Sequence, residues 1–303
     1  TATLDGAQLG IALFGLQSCS DEVEEVRQVT KFLAERVRHS ELVLASNEVG
    51  SVFYGLQGLT DTHPEVCALL DALADVLTRS DVVLDDRSVG NTFFGLQRKT
   101  TSPATFRLLD AMREKLYSSN IERLSQTCVT QALRGLCGIQ GEVASELRAF
   151  FVDKLDPASL TPVTDVHGLV AIMKVSGLEL PPQVEACYRE SMKKADPYYL
   201  TETAHKMADQ IRAKYPGTVL LSEVLDGFEM DIYLPELKLD IELDGAHHER
   251  PAKAEWDRIR DSYLREAHDV VTTRIVLAGL SDDAMLADVL QAITTRQLSV
   301  GSS

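Results

Sequence analysis

Asp231, Glu242 and Asp244, with His248 close behind, are the side chains of this sequence best placed to do chemistry together. They lie in and just after Met230–Gly245, where Leu237, Leu239, Ile241 and Leu243 alternate with Lys238, Asp240, Glu242 and Asp244. That is the period of two of a strand with one side in a core, so the polar members share a face. Pro235-Glu236 reads as a two-residue hairpin turn. A turn of that length sets Asp231 opposite Asp240 and diagonal to Glu242, within roughly 8 Å. Three carboxylates on one face repel one another, and a hard divalent cation, Mg²⁺ or Mn²⁺, relieves the repulsion. Such an ion polarises a phosphoryl oxygen and helps generate hydroxide, which is the chemistry of phosphodiester hydrolysis. The same alternation also describes a plain acidic hairpin whose charges guard an exposed edge. Pattern alone leaves both readings open.

The run from Met230 to His248 resembles the core of the restriction-endonuclease-like fold, in its very-short-patch-repair and RAP-domain branch. Relatives there carry an Asp in one strand, Glu-x-Asp-Gly in the next and a His shortly after. A helix with Asp-x-x-Arg-x-x-x-Leu spacing follows, here Asp257, Arg260 and Leu264, and then a strand, here Val270 to Val276. The resemblance spans about Val219 to Leu277. It implies catalytic and metal-ligand positions for Asp231, Glu242 and Asp244, a proton carrier or further ligand in His248, and an Arg260 that faces the active site. Asp244 stands where many nucleases of this fold have Lys, and His268 where Gly is expected after the helix. Asp240 occupies a position commonly apolar in relatives and is left out of the site. Many RAP domains bind or process RNA without cutting it. The resemblance therefore implies a metal-dependent endonuclease acting in RNA processing or, as alternatives, a non-catalytic RNA-stability or maturation factor, or a protein-binding solenoid whose terminal domain nicks DNA.

The elements that would carry this site are announced by a repeat. Glycines at 15, 55, 95 and 135 sit in related blocks, Leu13-Phe14-Gly15-Leu16-Gln17, Phe53-Tyr54-Gly55-Leu56-Gln57, Phe93-Phe94-Gly95-Leu96-Gln97 and Leu133-Arg134-Gly135-Leu136-Cys137, a spacing of 40 residues. Such a period signals stacked units, none of which can bury its own apolar face. Each unit reads as a helix pair. The first helix runs through the Gly-Leu-Gln block, for example Asn47 to Leu59. The second is entered at Ser20, at Asp61-Thr62-His63-Pro64 and at Thr101-Ser102-Pro103, which are cap and first-turn signals. A recurrent glycine inside a helix costs up to about 1 kcal/mol and suggests that a neighbouring helix packs against it. Asp165 to Gly177 and Pro182 to Ala195 have the lengths of a degenerate capping pair. The expected architecture is an α-helical solenoid of 40-residue helix pairs over residues 1–197, followed by a small α/β restriction-endonuclease-like domain over 198–303. The chain starts at Thr1, inside a repeat and without Met, as a fragment or processed product would.

These units resemble the octotricopeptide and related helix-pair repeats that precede RAP domains in RNA-processing factors, over Thr1 to about Phe151. The resemblance implies single-stranded RNA as partner, with DNA the alternative, and an intracellular setting that in such factors is a mitochondrion or plastid. One helix per unit can line a concave surface and read one base. On a helical wheel, Ser51, Asn91 and Gln131 fall on the glycine face, away from Val49, and are the candidate base readers. Ordinary surface positions are the competing explanation. Gln17, Gln57 and Gln97 recur unchanged, so they cannot discriminate bases; caps or bridges between units suit them better. Phe14, Tyr54 and Phe94 either stack on bases or form inter-unit core.

Charge argues against a polyanion partner. The 30 Lys and Arg face 46 Asp and Glu, net −16, and affinity for nucleic acid rests largely on cations that neutralise phosphates. Binding then needs a local basic stripe, for which Arg87, Arg98, Lys99, Arg134 and Arg148 are the candidates. Five Cys without a CxxC pair read as reduced thiols. No run of about 18 apolar residues is present, so no membrane span is expected.

Overall fold

A computed structural model describes residues 4–162, 164–193, 201–245, 250–277 and 281–300. It divides into two compact units. One comprises Thr1–Thr161, Ile172–Glu185 and Arg250–Ala252; the other comprises Pro162–Ala171, Ala186–Glu249 and Lys253–Ser303. The boundary expected at residue 197 lies outside the described residues.

The first unit is helical. α1 (Gly6–Gly15), α3 (Ser46–Tyr54), α5 (Asp86–Phe94) and α7 (Gln126–Leu136) pack each on the next, and so do α2 (Glu24–Arg38), α4 (Pro64–Arg79), α6 (Pro103–Ser118) and α8 (Glu142–Lys154). Two rows of helices result, and their shared interior is apolar: Leu13, Val49, Phe53, Leu69, Leu73, Phe93 and Leu133 are fully buried. Pro64 and Pro103 open α4 and α6 at the first helical turn, where a missing N–H costs nothing. α9 (Thr164–Val175) and α10 (Pro182–Lys193) stand close to the limits expected for the last pair.

The Gly-Leu-Gln blocks end helices instead of lying within them. α3 stops at Tyr54, and Gly55–Gly58 tighten into a 3-10 turn. A Cβ on Gly55 would fall 2.2 Å from the carbonyl oxygen of Leu13, and one on Gly95 would fall 1.8 Å from that of Phe53. Each glycine thus lets its turn touch the backbone of the preceding unit, a contact that any side chain would force apart. Gln57 and Gln97 finish the turn, their Nε2 donating to the carbonyls of Tyr54 and Phe94 at 3.1 Å each. Links between units keep the same step. Asp21 accepts from the backbone and hydroxyl of Thr60, and Asp61 accepts from those of Thr100.

The second unit runs α11 (Glu202–Arg212), β1 (Leu220–Leu225), β2 (Phe228–Leu234), β3 (Leu239–Asp244), α12 (Pro251–His268), β4 (Val271–Val276) and α13 (Asp282–Val300). The strands lie in sequence order, β1, β2 and β3 antiparallel and β4 parallel to β3. Ile232, Leu234, Leu239, Ile241 and Ile275 form one apolar core with Met207 and Ile211 of α11 and Val289 and Ile293 of α13. Alternation then sends the polar residues of β2, β3 and β4 to the opposite face, over which α12 lies.

The β2–β3 turn differs from the expected two residues. Pro235–Leu237 form a 3-10 turn and Lys238 adopts a left-handed backbone with φ 47°. Tyr233 therefore pairs with Asp240 and Ile232 with Ile241, which carries Asp231 to the level of Glu242 instead of Asp240. A slip of two residues preserves the faces, whereas a slip of one would have reversed them.

Candidate functional site

The acidic face of the second unit is held by arginine. Asp240 and Asp244 are buried within it. From α12, Arg260 sends Nη2 to Asp240 Oδ2 at 2.8 Å, Glu242 Oε1 at 2.5 Å and the carbonyl of Glu229 at 3.0 Å, while Nη1 reaches Asp261 at 3.2 Å. From β4, Arg274 sends Nη2 to Asp261 Oδ1 at 2.9 Å and Nη1 to Asp244 Oδ2 at 3.3 Å. Thr272 adds its hydroxyl to Asp240 Oδ2 at 3.0 Å. Asp231 accepts the backbone N–H of Leu243 at 2.9 Å and so ties β2 to the end of β3.

Two buried carboxyls beside one guanidinium cannot both ionise cheaply. Burial pushes Glu242 up to about 8, with Asp240 and Asp231 adding to the push and Arg260 and Arg274 opposing it. Asp240 is likewise driven upward by burial, against the pull of Arg260. The second oxygen of Asp240, Oδ1, is buried without a partner among the described residues.

Asp231, Glu242 and Asp244 do reach one face, but the donor set does not fit a divalent ion. Their charges are already met by a backbone amide and two guanidiniums, and such cations repel an incoming one. Among the described residues, no group of three His, Cys, Asp or Glu is disposed to hold a metal ion. His248 lies outside the described residues, as does His247. Arg260 points inward onto Asp240 and Glu242. Asp240, set aside on resemblance, belongs to the centre of the face; its parity with Glu242 and Asp244 was the signal. Arg274 and Asp261 were missed, although a lone cation among the Thr and Val of β4 was a visible clue. His268, standing where Gly was expected, places Nε2 2.8 Å from Asp226 Oδ2, which also accepts from Tyr263. The pair anchors the β1–β2 turn to the end of α12.

The helical unit carries the second candidate. Ser51 on α3, Asn91 on α5 and Gln131 on α7 line a single cleft of about 480 Å³, together with Phe14, Tyr54, Arg87 and Cys128. The Ser51 hydroxyl donates to the carbonyl of Asn47 at 2.9 Å and keeps its acceptor pairs for the cleft. Among the described residues, the side-chain amides of Asn91 and Gln131 have no hydrogen-bond partner. Glycine lets these side chains lie close to the preceding helix. A Cβ on Gly90 would fall 2.5 Å from Gln131 Oε1 and 3.2 Å from Cys128 Cα.

A scan of protein-family models gives no match to this chain, and no curated protein matches it.

The proposed basic stripe is largely committed to structure. Lys99 is 1% exposed, and its ammonium donates to the carbonyls of Leu56 at 2.8 Å and Leu59 at 2.6 Å, with Gln97 at 3.3 Å. Arg148 spans the corresponding carbonyls two units on, Leu136 and Ile139, at 2.9 Å each. Arg98 donates to the carbonyl of Gly58 and lies 4.0 Å from Asp21. Arg134 donates to Gln97 Oε1 at 3.0 Å and stands 5.7 Å above the Phe94 ring. Arg87 is exposed at the cleft. Phe14, Tyr54 and Phe94 stack on one another, with centroids 5.8 and 5.4 Å apart.

Proposed function

We propose that this protein is a single-stranded RNA-binding factor, a helical-repeat solenoid in which Ser51, Asn91 and Gln131 each meet one base. The observation that carries the reading is that these three positions, one per 40-residue step, line one cleft. An amide offers a donor pair and an acceptor at once, the complement of a base edge. The order β2, β3 with Glu-x-Asp, α12, β4 supports a restriction-endonuclease-like, RAP-type second unit. Its arginine-held acidic face favours the maturation or stability factor over the Mg²⁺-dependent endonuclease.

Labelled single-stranded RNA octamers and duplex DNA, incubated with the protein in Mg²⁺, Mn²⁺ or chelator, test this directly. Retention of uncut RNA in all three conditions, weakened by Asn91→Ala and Gln131→Ala, is expected. Metal-dependent cutting that Glu242→Ala abolishes would restore the endonuclease, and a protein that holds neither polymer would remove the nucleic-acid reading.

A further inference from the structure

The cleft of the helical unit holds an anion among its readers. Asp86 is the first residue of α5 and lines the cleft together with Arg87, Asn91 and Gln131. Its carboxylate is fixed from the next unit: Oδ1 accepts the backbone N–H of Ser125 at 2.8 Å, and Oδ2 accepts the Ser125 hydroxyl at 2.7 Å. That link alone does not call for a charge. One unit earlier the same position is Ser46, whose neutral hydroxyl accepts the backbone N–H of Asp85 at 3.3 Å. Nor does the start of α5 call for it, because Asp85 already caps that helix, accepting the backbone N–H of Ser88 at 2.7 Å.

A carboxylate repels phosphate, so a strand that lies in this cleft must present a neutral donor to Asp86. Its two anchoring bonds leave lone pairs to spare, since an ionised carboxyl offers about four acceptor sites. The place of Asp86 selects the donor. Arg87 and Asn91 are four apart on α5 and share a face, with a rise of about 6 Å between them, comparable with the reach from a base edge to its sugar. A base edge on Asn91 therefore puts its own sugar and phosphate at the level of Asp86 and Arg87, the first two residues of the helix. On a sugar-phosphate chain the neutral donor is the ribose 2′-hydroxyl, which DNA lacks.

We propose that Asp86 is the sugar reader of the cleft: it accepts the 2′-hydroxyl of the nucleotide whose base meets Asn91, and so admits RNA in preference to DNA. The inference rests on the RNA-binding reading above. It adds a specificity that the three base readers do not supply, because the donors and acceptors of a base edge are the same in either polymer.

The test measures fluorescence anisotropy with the best-bound homopolymeric RNA octamer and with its all-2′-deoxy and all-2′-fluoro counterparts of the same base; fluorine keeps the ribose pucker and removes the donor. Both counterparts are expected to bind the wild type about tenfold more weakly, the low end for a hydrogen bond to a charged group. Asp86→Ala should weaken the RNA octamer by the same factor, leave the other two unweakened and so bind all three alike. Asp86→Asn, which keeps an acceptor for Ser125, should lose about threefold, as a neutral hydrogen bond is about half as strong. Ser125→Ala removes the hydroxyl link but not the backbone N–H that holds Oδ1, and should keep the preference for RNA. Circular dichroism and thermal melting check that each variant is folded. An RNA octamer bound no tighter than its counterparts, or a fluoro octamer bound as tightly as RNA, overturns the sugar reader and leaves the three base readers standing. A preference that Asp86→Ala does not touch, or that Ser125→Ala erases as fully, overturns it too, the second by showing that the contact between units is what counts. Failure of every octamer to bind overturns both readings.

Discussion

Buried charge is met differently in the two units. In the helical unit the buried cations Lys99 and Arg148 are solvated by backbone carbonyls at the ends of helices, Leu56 and Leu59 for one, Leu136 and Ile139 for the other. In the α/β unit, the buried carboxyls Asp240 and Asp244 and the half-buried Glu242 are met by the guanidiniums of Arg260 and Arg274. Carbonyl dipoles fix a cation without adding a titratable group. A lattice of ionised side chains balances charge only while each member keeps its proton state. The contrast teaches where the basic residues of an acidic chain go: with 30 against 46, several of them are engaged inside the fold before any ligand arrives.

The lattice is the easier of the two to break. Arg260→Met removes the one group shared by Asp240 and Glu242 and leaves both inside, which should cost about 3–5 kcal/mol in urea unfolding at pH 8.5. The cost should shrink at pH 5. Because burial raises Glu242 from its ordinary 4.5 to about 8, the native state holds more protons than the unfolded chain between those values. The stability that this group confers is complete below about 4.5 and is lost as pH rises toward 8. Without Arg260 both carboxyls stay protonated to higher pH, so the variant should fall away from the wild type mainly on the alkaline side. An equal loss at both pH values would mean that Arg260 acts by packing alone.

Lys99→Met probes the other arrangement. It strips the carbonyl of Leu59 of its Lys99 donor in a closed interior and leaves that of Leu56 with only the backbone N–H of Leu59, and about 2 kcal/mol is expected, as for a buried acceptor left unpaired. The pH dependence should have the opposite sign. Burial lowers the Lys99 ammonium to about 7, while Asp61 and Asp21 pull it upward and Arg98 pushes it down. The native state then holds fewer protons than the unfolded chain between about 7 and the ordinary 10.5, so wild-type stability gains as pH climbs through that window. The variant lacks this gain, and its deficit should be larger at pH 9 than at pH 6. An equal deficit at pH 6 and pH 9 would show that the carbonyl cage compensates the charge in full.

The same contrast separates what was legible in the sequence from what was not. Local and periodic signals carried well. The 40-residue step located the helix pairs, Pro64 and Pro103 marked helix starts, and the alternation from Leu237 to Asp244 put Asp240, Glu242 and Asp244 on one face. Signals that depend on a partner distant in the chain did not carry. Nothing near Glu242 announces that Arg260 and Arg274, 18 and 32 positions on, will reach it or its neighbour Asp244. Nothing near Lys99 announces the carbonyls of the preceding unit. The turn at Pro235–Lys238 was misjudged because lysine is not a usual left-handed residue. The Gly-Leu-Gln blocks were placed inside helices because the close approach of the Leu13 and Phe53 carbonyls, which stops the helix there, belongs to the neighbouring unit.

The smallest expected effect is also the sharpest on the question of partners. If Lys99, Arg98 and Arg148 are bound to carbonyls, phosphate contact at the cleft falls to Arg87 and at most one further cation. For single strands the slope of log affinity against log salt is about −0.7 per phosphate neutralised, so a slope of about −0.7 to −1.4 is expected, and a loss of only about three- to sevenfold between 50 and 200 mM salt. Arg87→Ala should flatten the slope by about 0.7 without changing which base is preferred opposite Ser51, Asn91 or Gln131. A slope near −4 would require about six phosphate contacts and would move the binding surface away from this cleft, because no such number of exposed cations lines it among the described residues.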